Sequence, residues 1–474
     1  MIRFFNTMSG RVEPFEPLSP GAVKLYTCGP TVYDYQHIGN YRAYVFEDLL
    51  KRFLLFMGYK TSHVMNITDV DDKTIRGANL RGVALGEYTR KYQEAFFEDL
   101  RTLRILPADV YPRATEHIPE MVAIIRGLLE KGYAYRKEGS IYFSIAKFPA
   151  YGRLSKIRLD ELKPGQRVEA DEYEKESVHD FALWKQPKPG EPFWETEIGP
   201  GRPGWHIECS AMSSKYLGET FDIHCGGVDN IFPHHENEIA QSEAFTGKPF
   251  VRTWMHCHHL VVDGEKMSKS KGNQFTMSDL IGQGADPIDL RFLLLSTHYR
   301  KMLNFTSDVL AQAKASRRRL LDFLFELERG DLSPGRTNPV VSDLIGKARR
   351  GFVEGLADDL NISNSLSALF EFVREVNTLI ASQKFGQGDA EACAAFLREV
   401  DSVLAIFPPK GLQEQALPPE IASKIEARQR ARQQKDFKLA DRLRQELIEE
   451  GIILEDTKDG LRWKRTKPSG RTNE

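Results

Sequence analysis

This 474-residue sequence has few cysteines, no long apolar runs and almost no net charge. Its five cysteines are an odd number and unevenly spread, which argues against a disulfide framework and favours reduced thiols or metal ligands. No apolar run approaches the roughly 18 residues of a membrane span, and the N-terminus lacks the basic and apolar regions of a secretory signal. The net charge of −2 does not indicate a nucleic-acid binder. We therefore expect a cytoplasmic protein that has no membrane partner.

The order of the predicted elements indicates an α/β fold with several domains. AVKLYTCGP and KTSHVMNIT are strand candidates, and the amphipathic helix NYRAYVFEDLLKRFLLFMGY lies between them. This order begins a parallel sheet, whose ligands bind beyond the carboxyl ends of the strands. We predict the two halves of the α/β domain at 1–110 and 201–307, an inserted subdomain at 111–200, a helical bundle at 308–406, and a linker with a small C-terminal domain at 407–474.

The segment TVYDYQHIGN places His37, Gly39 and Asn40 between a strand end and a helix start. Free backbone N–H groups at a helix N-terminus attract anions, and glycine lets a phosphate or a planar group approach closely. A capped helix with a satisfied histidine would explain the same residues equally well if this motif stood alone.

A second motif, VVDGEKMSKSKGNQ, places Lys266 and Lys269 in a loop rich in glycine and serine. Two mobile ammonium groups are suited to stabilising charge on a departing pyrophosphate. Taken alone, a lysine cluster of this kind is more often a solvated basic loop. Together, HIGN and KMSKS resemble the two signatures of class I aminoacyl-tRNA synthetases, although the best-known form of the first motif ends in histidine where this chain has Asn40. The resemblance implies a Rossmann-type sheet, ATP with Mg²⁺ bound by the first motif, and transition-state stabilisation by the second.

The stretch DNIFPHHENEIAQSE contains several potential metal ligands on a predicted helix. His234 and Glu238 are four residues apart and share a face, whereas His235 and Glu236 are expected to point elsewhere. This stretch, with CGPTVYDY, GRPGWHIECSAM, NITDVDDK and the terminal KDFKLADRLRQELIEEGIILEDTKDGLRWKR, resembles the bacterial type of the cysteinyl-tRNA synthetase family from residue 2 to about 465.

That resemblance implies activation of L-cysteine with ATP to the adenylate and its transfer to the 3′ end of tRNA(Cys). It further implies one Zn²⁺ that selects the substrate thiolate, held by Cys28, Cys209, His234 and Glu238. Such a mixture of soft and borderline ligands suits zinc. The implied amino-acid pocket comprises Gly29, Thr68, Trp205, His224 and Asp229.

Other interpretations of the same motifs stay open at this stage. The segment MHCHHL offers His256, Cys257, His258 and His259 as a rival metal site, but consecutive strand residues alternate faces and cannot all converge. A cysteine ligase that uses a sugar amine as its acceptor resembles the catalytic half and lacks the anticodon-binding unit. A catalytically silent RNA-binding or zinc-binding paralogue should have lost an ATP motif or a zinc ligand, and all are present here.

Basic residues lie on predicted helices in KASRRRL and KIEARQRARQQKDFKLADRLR. Such faces are often merely solvated, but the resemblance implies that the bundle contacts the tRNA stem and that the last domain reads the anticodon. Trp463 is a candidate for stacking on an unpaired base, and a core position is the alternative. We expect the protein to be a monomer.

Overall fold

The computed structural model describes residues 1–157, 180–267, 272–329, 337–409, 419–434, 436–457 and 460–465. The chain forms two compact units, Met1–Ile406 and Phe407–Glu474. No helix in these ranges is both long enough and apolar enough to cross a membrane.

The N-terminal part begins with a hairpin and continues into a strand, helix and strand unit. Helix α1 begins where the His37 side chain accepts the Asn40 N–H, and Gly58, with φ +87°, follows its end. The elements are β1 (Arg3–Asn6), β2 (Arg11–Pro14), β3 (Ala22–Thr27), α1 (Ile38–Phe56), β4 (Lys60–Met65), α2 (Asp72–Arg81) and α3 (Leu85–Thr102).

An antiparallel sheet of four strands follows in the region predicted as an insertion. Its strands are ordered β5, β6, β7, β8, and their apolar side chains share a core with the helix that precedes them. The elements are α4 (Ile118–Glu130), β5 (Ala134–Lys137), β6 (Ser140–Phe143), β7 (Phe181–Lys185) and β8 (Arg202–Pro203).

The chain then returns to the parallel sheet. The elements are α5 (Trp205–Leu217), β9 (Phe221–Gly227), α6 (Glu236–Thr246), β10 (Val251–Cys257), β11 (Leu260–Val262), β12 (Glu265–Lys266), α7 (Met277–Gly282), α8 (Pro287–Ser296) and β13 (Leu303–Phe305). Strands β9 and β10 join the parallel sheet, whereas the other three form a separate sheet in the order β12, β11, β13.

The topology of the parallel sheet fixes where a ligand can bind. Its strand order is β10, β9, β3, β4, with β3 and β9 paired in parallel at the centre. The chain runs outward from β3 to β4 through α1, and outward in the opposite direction from β9 to β10 through α6. The carboxyl ends of β3 and β9 therefore border a topological switch point, the usual ligand site of such sheets.

Long helices complete the first unit, as the amphipathic pattern predicts. They are α9 (Ser307–Glu328), α10 (Pro339–Ala357), α11 (Ile362–Ala381) and α12 (Gln387–Leu404). The fully buried Arg291 on α8 joins this bundle to the sheet layer, because its guanidinium donates to the Leu404 carbonyl at 2.8 Å and to the Asp48 carboxylate at 2.5 Å.

The second unit contains two helices and a β-hairpin. They are α13 (Pro419–Gln433), α14 (Phe437–Glu449), β14 (Ile452–Thr457) and β15 (Gly460–Arg465). Ile425, Leu447, Ile452 and Leu454 form its core. Trp463 lies on β15 opposite Leu454, and its side chain is outside the described residues.

Candidate active site

Four potential metal ligands converge just beyond the carboxyl ends of the central strands. Ligand atoms of Cys28, His234, His235 and Glu238 all lie within 4.8 Å of one another. Cys28 follows β3, the two histidines end a turn after β9, and Glu238 is in the first turn of α6. No other cluster of three or more such side chains occurs in the described ranges.

The expectation that His235 points away from this cluster is wrong. Its Nε2 lies 3.1 Å from the Cys28 Sγ. The chain kinks at Phe232, with φ −138° and ψ 130°, and helical spacing holds beyond the kink. His235 and Glu238 are three residues apart, a spacing that also places two side chains on one helix face, and His235 Nε2 lies 4.0 Å from Glu238 Oε1. Glu236 does point elsewhere, since its carboxylate accepts the N–H groups of Gly152 and Ser155, each at 2.8 Å.

Cys209, the remaining predicted ligand, is buried on α5 next to the cluster. A hydrogen bond from Cys28 lowers the pKa of Cys209, and His234 acts in the same direction against the effect of burial. Burial raises the pKa of Cys28, and its hydrogen bond to Cys209 adds to that rise. The two sulfur atoms therefore divide into one that favours the thiolate and one that favours the thiol.

His234 and Glu238 form a buried ion pair, with His234 Nε2 3.0 Å from Glu238 Oε1. Burial alone would raise the pKa of Glu238, but His224 and His234 lower it to about 2. Burial would likewise lower the pKa of His234, and Glu238 with Cys209 outweighs this and raises it to about 10. The Glu238 carboxylate and the Cys209 thiolate therefore flank a protonated His234 ring.

A chain of hydrogen-bonded side chains reaches the cluster from β10 and the first hairpin. Thr7 Oγ1 lies 2.7 Å from His256 Nδ1, and His256 Nε2 lies 2.8 Å from His235 Nδ1. Burial lowers the pKa of His256 to about 3 and places that of His235 well below its usual value, so both rings are neutral. The rival site in MHCHHL does not form, since His256 faces His235 whereas the Cys257 thiol faces the carbonyl of Arg42.

The predicted amino-acid pocket is partly open and partly buried. Trp205, 39% exposed, stacks on the His234 ring at a centroid distance of 4.2 Å, and together with Gly29 and Asp229 it lines the cavity described below. Thr68 and His224 are almost fully buried.

Thr68 donates to Glu208 Oε2 at 2.9 Å, and His224 Nε2 lies 3.0 Å from Glu238 Oε2. Both are therefore supports beneath the pocket surface in this structure. Sequence reasoning missed Glu208 and Asn66, whose amide oxygen accepts the Gly29 N–H at 2.9 Å. A β-carbon on Gly29 would collide with the Asn66 carbonyl.

A cavity of about 400 Å³ extends from the metal-ligand cluster to the HIGN motif. His37 and Asn40 cap α1 reciprocally, since the His37 N–H donates to Asn40 Oδ1 at 3.1 Å and the Asn40 N–H donates to His37 Nδ1 at 3.3 Å. Gly39 permits close contact with Met267, because a β-carbon there would collide with the Met267 methyl group. The helix start and the lysine-bearing hairpin therefore border the same space.

The two predicted lysines differ in what the structure describes. Lys266, on β12, is exposed and lines the cavity. Lys269 lies outside the described residues.

One cavity thus contains a cluster of sulfur, imidazole and carboxylate donors at one end, and a helix N-terminus with a lysine at the other. This arrangement can hold a thiol-bearing ligand beside a polyphosphate.

The fold and the capped motif define a class I aminoacyl-tRNA synthetase catalytic domain, and comparisons with known proteins agree. Residues 14–315 match the family described as "tRNA synthetases class I (C) catalytic domain". The methionyl-tRNA synthetase of Mycobacterium tuberculosis bound by methionyl-adenylate has the same fold, with a TM-score of 0.58 at 14% identity over 88% of this chain and 96% of the other.

Relatives with higher sequence identity identify the family more specifically. A cysteine–tRNA ligase of Chlamydia muridarum is 50% identical over 97% of this chain and 99% of its own length. A cysteine–tRNA ligase of Solibacter usitatus is 49% identical over 98% of this chain and 99% of its own length. Residues 351–408 match a DALR domain, and 414–463 match a "Cysteinyl-tRNA ligase anticodon binding domain". The chain belongs to the cysteine–tRNA ligase family.

Proposed function

We propose that this chain joins L-cysteine to tRNA(Cys) in two steps, and that the cleft between the metal-ligand cluster and the HIGN motif performs both. The observation that carries the proposal is the shared cavity, which brings thiol-selective ligands and an anion-binding helix start together. In the first step, a carboxylate oxygen of cysteine bonds to the α-phosphorus of ATP while the bond from that phosphorus to the leaving pyrophosphate breaks. In the second, a ribose hydroxyl of the terminal adenosine attacks the acyl carbon, and AMP leaves.

The residues at the amino-acid end fit a zinc ion. Glu238 Oε1 is fully buried and accepts no well-aligned hydrogen bond, although it lies 3.0 Å from His234 Nε2, and sulfur and imidazole ligand atoms surround it, an arrangement that metal coordination would satisfy. We assign Cys28, Cys209, His234 and Glu238 as the residues that would hold the ion. His235, held by His256, would then orient Cys28 through its 3.1 Å contact.

Substrate selection is the reason for this ligand set. An apolar pocket discriminates between side chains that differ by one small group by only about 1–3 kcal/mol. A bound zinc ion would supply a Lewis acid that prefers the substrate thiolate to a serine hydroxyl, because a thiolate is softer and forms more readily. Trp205 and Asp229, at the cavity surface, would then orient the rest of the amino acid.

The nucleotide end contributes position and charge. The positive end of the α1 helix dipole and the Asn40 side-chain amide would bind the phosphates of ATP with its Mg²⁺, and Lys266 and Lys269 would neutralise the leaving pyrophosphate. His37 contributes by capping the helix that presents these groups. Since the attacking carboxylate is already ionised, no general base is needed, and positioning with charge stabilisation suffices.

Three finer features belong to the same proposal. Residues 407–474 would read the anticodon, a role that the match at 414–463 supports. The enzyme would act as a monomer. It would work in the cytoplasm, with tRNA as its macromolecular partner.

A charging assay tests the proposal. Purified protein, ATP, Mg²⁺ and labelled cysteine are incubated with deacylated total tRNA, and label in acid-precipitable RNA is counted against a serine control. We expect RNA labelled by cysteine and not by serine. Cysteine-dependent pyrophosphate exchange without RNA labelling would contradict the tRNA step and would indicate a small amine as the acceptor.

A further inference from the structure

The turn between α10 and α11 carries a buried carboxylate in an unusual backbone conformation. Asp359 is 3% exposed with φ +58°, and the next residue, Leu360, has φ +52°. Two successive residues other than glycine in the left-handed region are uncommon, and they persist only where surrounding contacts hold them.

The Asp359 carboxylate joins three separate segments of the chain. Its Oδ1 accepts the Phe5 N–H of the first hairpin at 2.8 Å and the Tyr299 hydroxyl at 2.5 Å. Its Oδ2 accepts the guanidinium of Arg300 through Nε at 2.7 Å and Nη2 at 2.6 Å. A side chain of the helical bundle thus determines where the segment after α8 lies.

Tyr299 continues this connection to the cleft in two ways. Its carbonyl accepts the N–H of His258 at 2.7 Å, and His258 lines the cavity between the sheet and the lysine-bearing hairpin. Its ring stacks on Phe46 of α1, with centroids 4.4 Å apart and planes 13° apart. The same helix begins with the HIGN motif, and its Arg42 donates to the neighbouring Thr297 carbonyl at 2.8 Å.

We propose that Asp359 is a positioning residue for the nucleotide end of the cleft and that it acts through Tyr299. The Asp359 carboxylate fixes Tyr299, whose backbone carbonyl holds the His258 N–H and whose ring packs on α1, the helix that begins at the nucleotide end. Asp359 itself lines no part of the cavity. The inference rests on the proposed function, because it assumes that ATP occupies this end.

The test compares Y299F and D359N with D358N in the full-length, zinc-loaded protein. D358N is a matched control, since Asp358 is the adjacent carboxylate and its ion pair with Arg3 lies at the surface, where half of the Asp358 side chain is exposed. ATP binding is measured by titration calorimetry, and cysteine-dependent pyrophosphate exchange is measured with ATP and cysteine varied separately. We expect Y299F and D359N to weaken ATP binding about tenfold, the effect of losing one hydrogen bond to a charged group. The KM for cysteine, the zinc content and every D358N parameter should stay unchanged.

Two results would overturn the proposal. One is ATP binding by Y299F equal to that of the unmodified protein. The other is a parallel loss of ATP affinity, cysteine affinity and Tm in Y299F, which would indicate general destabilisation. If the unmodified protein bound ATP but showed no cysteine-dependent exchange, the proposed function would fail, and the calorimetric comparison would still decide the role of Asp359.

Discussion

The amino-acid end of the cleft is buried and crowded with titratable side chains, whereas the nucleotide end is open and carries the charge of Lys266 on the exposed strand β12. His235 and Glu238 have no exposed surface, and Lys266 is exposed. Selecting one amino acid requires donors that are fixed before the substrate arrives, because mobile donors would adapt to a competitor. Neutralising pyrophosphate requires charge that approaches and then releases the product. The amino-acid end of the cleft therefore needs fixed side chains, whereas the nucleotide end needs a charge that can move.

Lys269→Ala tests the nucleotide end and should have the largest effect. Loss of a charge that acts on the transition state should slow adenylate formation by about 100-fold to 1000-fold, with cysteine binding largely spared. Pyrophosphate exchange at saturating cysteine measures the rate, and equilibrium binding measures the affinity. An unchanged exchange rate would remove Lys269 from the proposed machinery.

Cys209→Ser tests the amino-acid end, where binding rather than rate should change. A hydroxyl is a poor substitute for a thiolate ligand, so zinc content and cysteine affinity should fall together, the latter by about 100-fold. Metal analysis and cysteine titration follow the two quantities. Cys393→Ser is a matched control, because that thiol is buried in α12 away from the cluster. A C209S protein that kept its full zinc content would show that the assigned ligand set is wrong.

The pH dependence of zinc binding tests the protonation states of the side chains at the amino-acid end of the cleft. The pKa of Cys28 lies well above its usual value and that of His234 is about 10, so both carry protons at pH 7 in the metal-free protein. Metal ligands must be deprotonated, and binding therefore releases these protons. Apparent zinc affinity should rise from pH 6 to pH 8 by about tenfold per pH unit for each proton released. Competition with a chelator at each pH measures it, and a flat profile would contradict the protonation states given above.

His235→Asn should have the smallest effect. It removes the link between His256 and Cys28 without removing an assigned ligand, and changes of this kind typically cost about 10-fold to 100-fold in metal affinity. We expect the lower end, since Cys28 also contacts Cys209. A loss as large as that of C209S would show that His235 is itself a ligand.

Sequence reasoning predicted the parallel sheet because its strands have strong local signals. AVKLYTCGP and KTSHVMNIT contain β3 and β4, and the motif His37–Asn40 does begin a helix. Resemblance, rather than pattern, supplied the proposed set of metal ligands. The expectation for His235 considered only the four-residue spacing of His234 and Glu238, although the three-residue spacing of His235 and Glu238 also places side chains on one helix face. The Asp359 contacts were inaccessible to sequence reasoning, since they join segments more than 50 residues apart in sequence.

The reciprocal cap at the start of α1 explains why the first motif can end in asparagine. Asn40 accepts the His37 N–H through its carbonyl oxygen, which assigns the amide nitrogen as the group available to a phosphate. Histidine could do the same with one ring nitrogen accepting and the other donating. Position 40 therefore requires a side chain with one acceptor that faces the backbone and one donor that faces outward. This requirement matters more than the shape of the side chain. Aspartate would keep the acceptor and lose the donor, so among these three residues it alone should preserve the helix while repelling the nucleotide.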